Sequence, residues 1–257
     1  FKSVILGLSG GIDSAVCAAI AVDAIGAHRV FGVSMPSKHS SDHSKSDAFD
    51  LAKRLGISIR TEPIKGAVKD LEKQLKLKDV AAENLQARVR GTILMSLSNQ
   101  ERHLTLTTGN KSELAVGYST IYGDSVGGFA PLKDVSKSLV WQLARWRNSF
   151  AEQQGLPAPI PENSISKAPS AELRPGQVDQ DSLPDYAILD EILDGYIERK
   201  LGREQLKAMG FDPSVVDKIV ALVDRAEWKR RQGAIGPKIT GMSFGRDRRL
   251  PITNKYK

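Results

Sequence analysis

The stretch "GLSGGIDSA", Gly7 to Ala15, puts two adjacent glycines, two serines and an aspartate directly behind the apolar run Val4-Ile5-Leu6. Glycines let a backbone turn sharply and let another object approach it closely. Serine hydroxyls and free amides at a helix start make a seat for an anion, usually phosphate. Asp13 is the odd member, because a carboxylate beside phosphate repels it unless a cation stands between them. The stretch therefore points to phosphate plus a divalent metal. The plainer reading is an ordinary glycine-rich turn. The commoner phosphate loop, GxxxxGKS, is absent, since no Lys-Ser/Thr pair follows the glycines.

Other residues offer chemistry and are set aside. His39 and His43 flank Asp42 in "HSSDH", a spacing that could bind zinc on a helix. Pro36 and the neighbouring serines favour a loop and helix cap instead, with no fourth ligand nearby. Trp141 and Trp146, five apart on one expected helix, read as core rather than as a stacking platform. Cys17, the single cysteine, reads as a small apolar residue. With no second cysteine there is no disulfide, and the expected setting is a reducing cytoplasm.

The elements that must carry these residues alternate strand and helix over the first 110 residues. "SVILGLS", "RVFGVSMPS", "ISIRTEPI" and "HLTLTTGN" read as strands. Ile12 to Ile25, "SDHSKSDAFDLAKRLG" and "DVAAENLQARVRGTILMSLSN" read as helices, the second stopped by Gly56. Such alternation predicts an α/β fold, a doubly wound, Rossmann-like parallel sheet whose ligands sit at the carboxyl ends of the strands. The glycine-serine loop and "TTGNKSE" both fall at such ends and can face one site. Beyond them come a long glycine-rich loop, a helix from "SKSLVWQLARWRNSFAEQQG" capped by Ser136, and a proline-rich loop or lid over 156–183. Helices are expected over Tyr186–Leu201, Arg203–Met209 and Pro213–Gln232, then an extended basic tail over residues 234–257. One domain covers 1–257, with 184–257 as its helical and tail extension.

The net charge of +7 over 257 residues is uneven, with ten Lys/Arg from Arg225 onward against Glu227 and Asp247. A basic tail could bind nucleic acid or close over a phosphate-rich small molecule. Aromatics make up 6% of the chain and do not interleave with the tail's bases as single-strand binders require, so the small polyanion is favoured. No apolar run reaches the roughly 20 residues needed to span a bilayer. No nucleic-acid or membrane partner is expected.

"SGGIDS" resembles the signature of the ATP-pyrophosphatases, which split ATP between its α and β phosphates to activate a partner as an adenylate. "ENLQARVRG" (Glu83–Gly91), "TGNKSELAVGYSTIYGD" (Thr108–Asp124), "PLKDVSK" (Pro131–Lys137), "PSAELRPGQVDQDSLPDY" (Pro169–Tyr186) and "FGRDRRLPI" (Phe244–Ile252) together resemble NAD synthetase across essentially the whole chain. The resemblance implies ATP-dependent amidation of nicotinic acid adenine dinucleotide (deamido-NAD) to NAD, with AMP and pyrophosphate released. It implies an ATP site of Gly7, Ser9, Gly10, Gly11, Asp13, Ser14, Thr108, Lys137 and Ser170, with the loop holding pyrophosphate and Lys137 reaching a phosphate. Asp13 and Glu113 would share Mg²⁺. Asn84, Arg88, Glu113, Asp124 and Lys255 would hold the dinucleotide, and Asp124 would receive ammonium and help deprotonate it. Asp13, Asp124 and Lys137 are then the catalytic residues. Of Arg88 and Arg90, two apart on a helix, only one need face the site, and Arg246, Arg248 and Arg249 would close the tail over substrate.

Many members of the family draw nitrogen from glutamine through a separate amidase domain with its own cysteine nucleophile, which nothing in this sequence supplies. The chain is closer to the synthetase half of those two-domain enzymes, so it is expected to be a portion of a longer protein, with the glutaminase domain elsewhere. The resemblance also implies a homodimer. Two other readings compete: another loop-family enzyme, such as a GMP synthetase or a tRNA-thiolating enzyme, and a non-catalytic ATP-binding or RNA-binding module. The thiolating enzymes bring paired cysteines, and passive binding needs no second carboxylate aimed at a metal.

Overall fold

The computed structural model of the chain describes residues 1–253. In chain order, β1 (Val4–Gly7) is followed by α1 (Ile12–Ile25), β2 (Val30–Ser34) by α2 (Asp42–Leu55), and β3 (Ser58–Thr61) by α3 (Lys65–Leu75) and α4 (Asp79–Glu101). Then come β4 (Leu104–Thr105), α5 (Lys111–Val116), α6 (Lys137–Gln153) and α7 (Glu162–Ser166). The last helices are α8 (Tyr186–Leu193), α9 (Arg203–Ala208), α10 (Pro213–Arg225) and α11 (Glu227–Arg230).

The strands form one parallel sheet in the order β3-β2-β1-β4, with Val4 of β1 opposite Val30 on one side and Leu104 on the other. The chain winds outward through β2 and β3, then returns to the far side of β1. The reversal between β1 and β4 is the switch point at which such sheets bind ligands. Helices cover both faces, as a parallel sheet requires. On one, Leu6, Val16, Leu51 and Val140 join β1, α1, α2 and α6. On the other, Ile5, Val33, Val68, Val89 and Leu94 join β1, β2, α3 and α4. A third cluster, with Ala115, Leu189, Leu206, Ile219 and Val223, binds α5 to the C-terminal helices.

Local chemistry sets the helix ends. Ser41 accepts from the Ser44 amide to start α2, and Gly56, at φ +68°, ends it in the left-handed conformation. Ser136 caps α6, as its sequence predicts.

Several elements depart from the sequence reading. The helix α3 was not expected, because its apolar stripe is thin: only Ile64, Val68 and Leu71 reach the core among charged neighbours. The strand ladder of β4 holds two residues rather than the whole of "HLTLTTGN", because beyond it the Thr107 amide turns to Phe129 of the glycine-rich loop. The helix α8 stops at Leu193 and continues as a π turn over Asp194–Glu198, where Gly195 leaves room for Leu206. Pro213–Gln232 divides into α10 and α11, and the 156–183 segment contains α7. The described part of the tail has no helix or strand of its own, and bridges run from Phe129 to Ile235 and from Phe244 to Arg248. No described helix is long and apolar enough to cross a membrane.

Candidate functional site

A cleft of about 310 Å³ opens over the carboxyl ends of β1, β2 and β4, large enough for a nucleotide-sized ligand. Its floor is the β1–α1 loop. Gly10 sits at φ +79°, and a Cβ there would collide with the Ser44 carbonyl, so only glycine fits. The loop ties itself shut: Ser14 Oγ donates to the Gly11 carbonyl at 3.0 Å, and the Gly11 amide donates to Ser9 Oγ at 3.2 Å. Ser164 Oγ of α7 donates to the Gly10 carbonyl at 3.0 Å from below. The first turn of α1 thus presents its amides to the cleft, where an anion gains from both the N–H groups and the helix dipole.

Beside the loop stands a charged trio. Lys137, the first residue of α6, is 1% exposed, and its Nζ lies 2.5 Å from Asp13 Oδ2 and 3.2 Å from Glu113 Oε1. Each member is placed by a helix start. Asp13 lies in the first turn of α1, and its Oδ1 accepts from Asn110 Nδ2 at 2.8 Å. Asn110 caps α5 by accepting from the Glu113 amide at 3.0 Å, while Glu113 Oε2 accepts from the Asn110 amide at 3.4 Å. Burial pushes the Glu113 carboxyl up to about 8, against the pull of Lys137. Burial alone would lower the Lys137 ammonium, but the Asp13 and Glu113 carboxylates reverse that and raise it. It is a fixed cation.

Beneath the trio, Asp190 of α8 joins two helix starts. Its Oδ1 accepts from Ser112 Oγ and its Oδ2 from the Ser138 amide at 2.7 Å. Ser112 Oγ in turn accepts from the Lys137 amide at 2.9 Å. One carboxylate therefore sets the spacing between the helices that bear Glu113 and Lys137.

Opposite, Asp124 stands exposed on the open wall of the cleft. Its Oδ1 accepts from the Thr120 amide at 2.6 Å and its carbonyl accepts from Thr107 Oγ1 at 3.1 Å. The turn packs on α4 at Gly91, where a Cβ would lie 2.8 Å from the Tyr122 carbonyl. This contact joins the "ENLQARVRG" and "GYSTIYGD" blocks in space.

Of the residues singled out in the sequence, Gly7, Ser9, Gly11, Asp13, Ser14, Thr108, Glu113, Asp124, Lys137 and Ser170 line this one cleft. Gly10 lies just beneath it. Asn84 and Arg88 stand outside: Asn84 Oδ1 accepts from Thr120 Oγ1 at 2.8 Å, and the exposed Arg88 donates to the Ile121 carbonyl at 3.3 Å. Arg90 lines the cleft instead, donating to the Met35 carbonyl at 3.1 Å. Lys255 falls outside the described residues. The tail supplies Ala234 to the cleft, beside Gly233 that precedes it, rather than its arginines, and Arg248 stacks 4.6 Å over the Tyr196 ring.

Sequence reasoning passed over Ser44, Lys167, Glu172 and Asp179. Glu172 Oε1 accepts from Ser44 Oγ at 2.6 Å and from Lys167 Nζ at 3.0 Å, fastening the 167–178 segment to the start of α2. Only the density of polar residues in "PSAELRPGQVDQD" could have signalled this.

Asp13 and Glu113 converge on a single ammonium, and hard carboxylate oxygens of this kind suit Mg²⁺. Among the described residues no group of three or more His, Cys, Asp and Glu is placed to hold a metal ion. A metal here would take its other ligands from phosphate and water.

The NAD synthase family model matches residues 1–233. A glutamine-dependent NAD(+) synthetase of Acinetobacter baylyi is 53% identical over 263 residues, covering all of this chain and 48% of that protein. Among solved structures, the chain is similar to a glutamine-dependent NAD+ synthetase from Acinetobacter baumannii in complex with adenosine diphosphate, at 51% identity and TM-score 0.63, covering 99% of this chain and 46% of that one. It is also similar to an NH3-dependent NAD synthetase from Campylobacter jejuni, at 30% identity and TM-score 0.69, covering 93% of this chain and 89% of that one. The chain spans about half the length of the curated relatives it matches.

Proposed function

Because the chain belongs to the NAD synthase family, we propose that it amidates deamido-NAD to NAD, using ATP and ammonia and releasing AMP and pyrophosphate. The observation that supports this most directly is the junction, in one cleft, of a self-closed glycine-serine loop with the Asp13–Lys137–Glu113 trio. A carboxylate is a poor electrophile, and adenylation gives it a leaving group. Nucleotidyl transfer asks the protein chiefly for position and charge neutralisation.

In this reading the α1 amides and the Ser9 and Ser14 hydroxyls hold the β- and γ-phosphates, Lys137 neutralises charge that builds on them, and Thr108 and Ser170 lie along the nucleotide. The nicotinate carboxylate attacks the α-phosphorus, and pyrophosphate departs into the loop. Asp13 and Glu113 would hold Mg²⁺, which supplies charge neutralisation for the phosphates when bound. Asp124, exposed on the cleft wall, receives ammonium and takes its proton. Ammonia then displaces AMP from the acyl-adenylate and leaves the carboxamide. No serine or cysteine nucleophile is required.

Asn84, Arg88 and Lys255 would contact the dinucleotide where it extends beyond the cleft, and a homodimer would enclose that part. In the longer protein a glutamine-hydrolysing domain would supply the ammonia, in a reducing cytoplasm suited to the single buried thiol, Cys17. The test is an incubation with Mg²⁺-ATP, deamido-NAD and ammonium, assayed for NAD, AMP and pyrophosphate. NAD with equal AMP is expected. ATP binding without either product would support a passive nucleotide binder, and adenylation of a different acceptor would support another loop-family enzyme.

A further inference from the structure

Lys137 occupies contested ground. Its ammonium touches Asp13 and Glu113 together, where a cation shared by those carboxylates would also stand. Two cations cannot sit against the same oxygens without strong repulsion. Metal entry therefore requires the ammonium to move.

Its surroundings leave few destinations. The Nζ lies 5.7 Å from the Trp141 ring centre and 5.2 Å from that of Tyr186. The Tyr186 hydroxyl donates to Asp179 Oδ2 at 2.8 Å, so the ring that flanks the ammonium ends on a carboxylate. Asp179 is 4% exposed and lines the cleft; its Oδ1 makes no direct hydrogen bond, although the Tyr118 side chain also bears on this carboxylate. A bare, buried carboxylate oxygen is costly and calls for an explanation. The ammonium touches Asp13 and Glu113 and also feels the Asp179 carboxylate, which does not contact it.

We propose that Lys137 is a built-in placeholder for the divalent cation shared by Asp13 and Glu113, and that Asp179 Oδ1 is the acceptor that takes its ammonium when the cation enters. The proposal rests on the metal position inferred above. It gives the orphaned oxygen a function and makes Asp179 a positioning residue for Lys137.

The experiment is Mn²⁺ binding to the protein followed by electron paramagnetic resonance, with no nucleotide or acceptor present. Lys137→Met removes the competitor and should tighten Mn²⁺ binding roughly tenfold or more. Asp179→Asn should weaken binding several-fold while Lys137 is present, and should have little effect in the Lys137→Met background. Equal weakening in both backgrounds would reduce Asp179 to a distant negative charge and remove its receiving role. Binding no tighter in Lys137→Met than in the parent, including no binding in either, would overturn the placeholder. Lys137→Met should also melt lower without metal, and Mn²⁺ should raise its melting temperature by more than the parent's. If Lys137→Met cannot be purified folded, unchanged Mn²⁺ binding in Asp179→Asn alone overturns the proposal. None of these readouts depends on NAD formation, so failure here and failure of the synthetase reading are separate results.

Discussion

Asp13 is the residue on which both the loop and the trio depend, since it begins α1 and meets Asn110 and Lys137 at once. Asp13→Asn keeps the shape and removes the charge. We expect pyrophosphate release to fall by at least roughly a hundredfold, with the melting temperature shifted by a few degrees at most. A radiolabelled-ATP assay beside a thermal melt checks both, and near-normal release would remove Asp13 from the metal. Asp124 acts later. Asp124→Asn should slow amide formation more than adenylation, so a rapid-quench time course should show pyrophosphate appearing ahead of NAD. Equal slowing of the two would count against its ammonium role. At this scale the sequence speaks clearly where function lies in consecutive residues: "SGGIDS" is a loop whose chemistry is visible in its types. It is silent on Lys167, Glu172 and Asp179, whose meaning comes from partners distant in the chain or from a missing partner. Arg88 and Arg90 show the middle case. Their helical spacing says that one of them turns away, and only the packing of α4 says that Arg90 is the one in the cleft.

Between elements, two carboxylates act as fasteners. Asp190 serves the starts of both α5 and α6, so Asp190→Ala leaves a hydroxyl and an amide without their acceptor. A loss of ~1–3 kcal/mol in stability is expected, measured by urea unfolding, together with a fall in kcat as the Glu113–Lys137 distance loosens. Asp190→Asn keeps one acceptor oxygen and should fall between. Glu172 fastens the 167–178 segment to α2. Burial opposes its ionisation, but bonds from Ser44 and Lys167 prevail and hold its carboxyl below the usual range. A carboxyl depressed in the folded state adds stability above its unfolded pKa, and that stability is lost as pH falls through the folded value. Glu172→Gln should therefore cost ~1 kcal/mol at neutral pH and converge on the parent below about pH 4, which flattens the acid limb of the stability profile; an unchanged acid limb would leave the fastener without energetic weight. The elements themselves were readable where apolar period and caps agree, as in α1, α2 and α6. They were not readable in α3, where three apolar side chains suffice for a helix lying on a sheet already built.

Taken whole, the molecule is a switch-point sheet with a helical extension that closes round one end of the site. Alternating apolar and helical segments were enough to foresee the sheet and the strand ends that carry the cleft. The route of the 233–253 segment was not foreseeable, because it is fixed by scattered polar contacts and the single buried ring of Phe244 rather than by any periodicity. At this scale the prediction concerns nitrogen. With Mg²⁺-ATP and deamido-NAD the chain should form NAD from ammonium and none from glutamine, checked by chromatography of the products; turnover with glutamine would mean that this chain contains an amidase function of its own. One anchor of the tail has a further consequence. Lys111, 7% exposed, is met by Glu198 at 2.7 Å, Asp134 at 2.8 Å, Thr240 Oγ1 at 2.6 Å and the Met242 carbonyl at 2.9 Å. On a ribosome the residues from Thr240 to Met242 are made long after Lys111, which stands two residues before Glu113. Until they emerge, the nascent chain holds an ammonium with half its ligands missing at the base of the site. The support behind the site is thus completed late in synthesis, and a chain halted short of residue 240 lacks two of the four groups that hold Lys111.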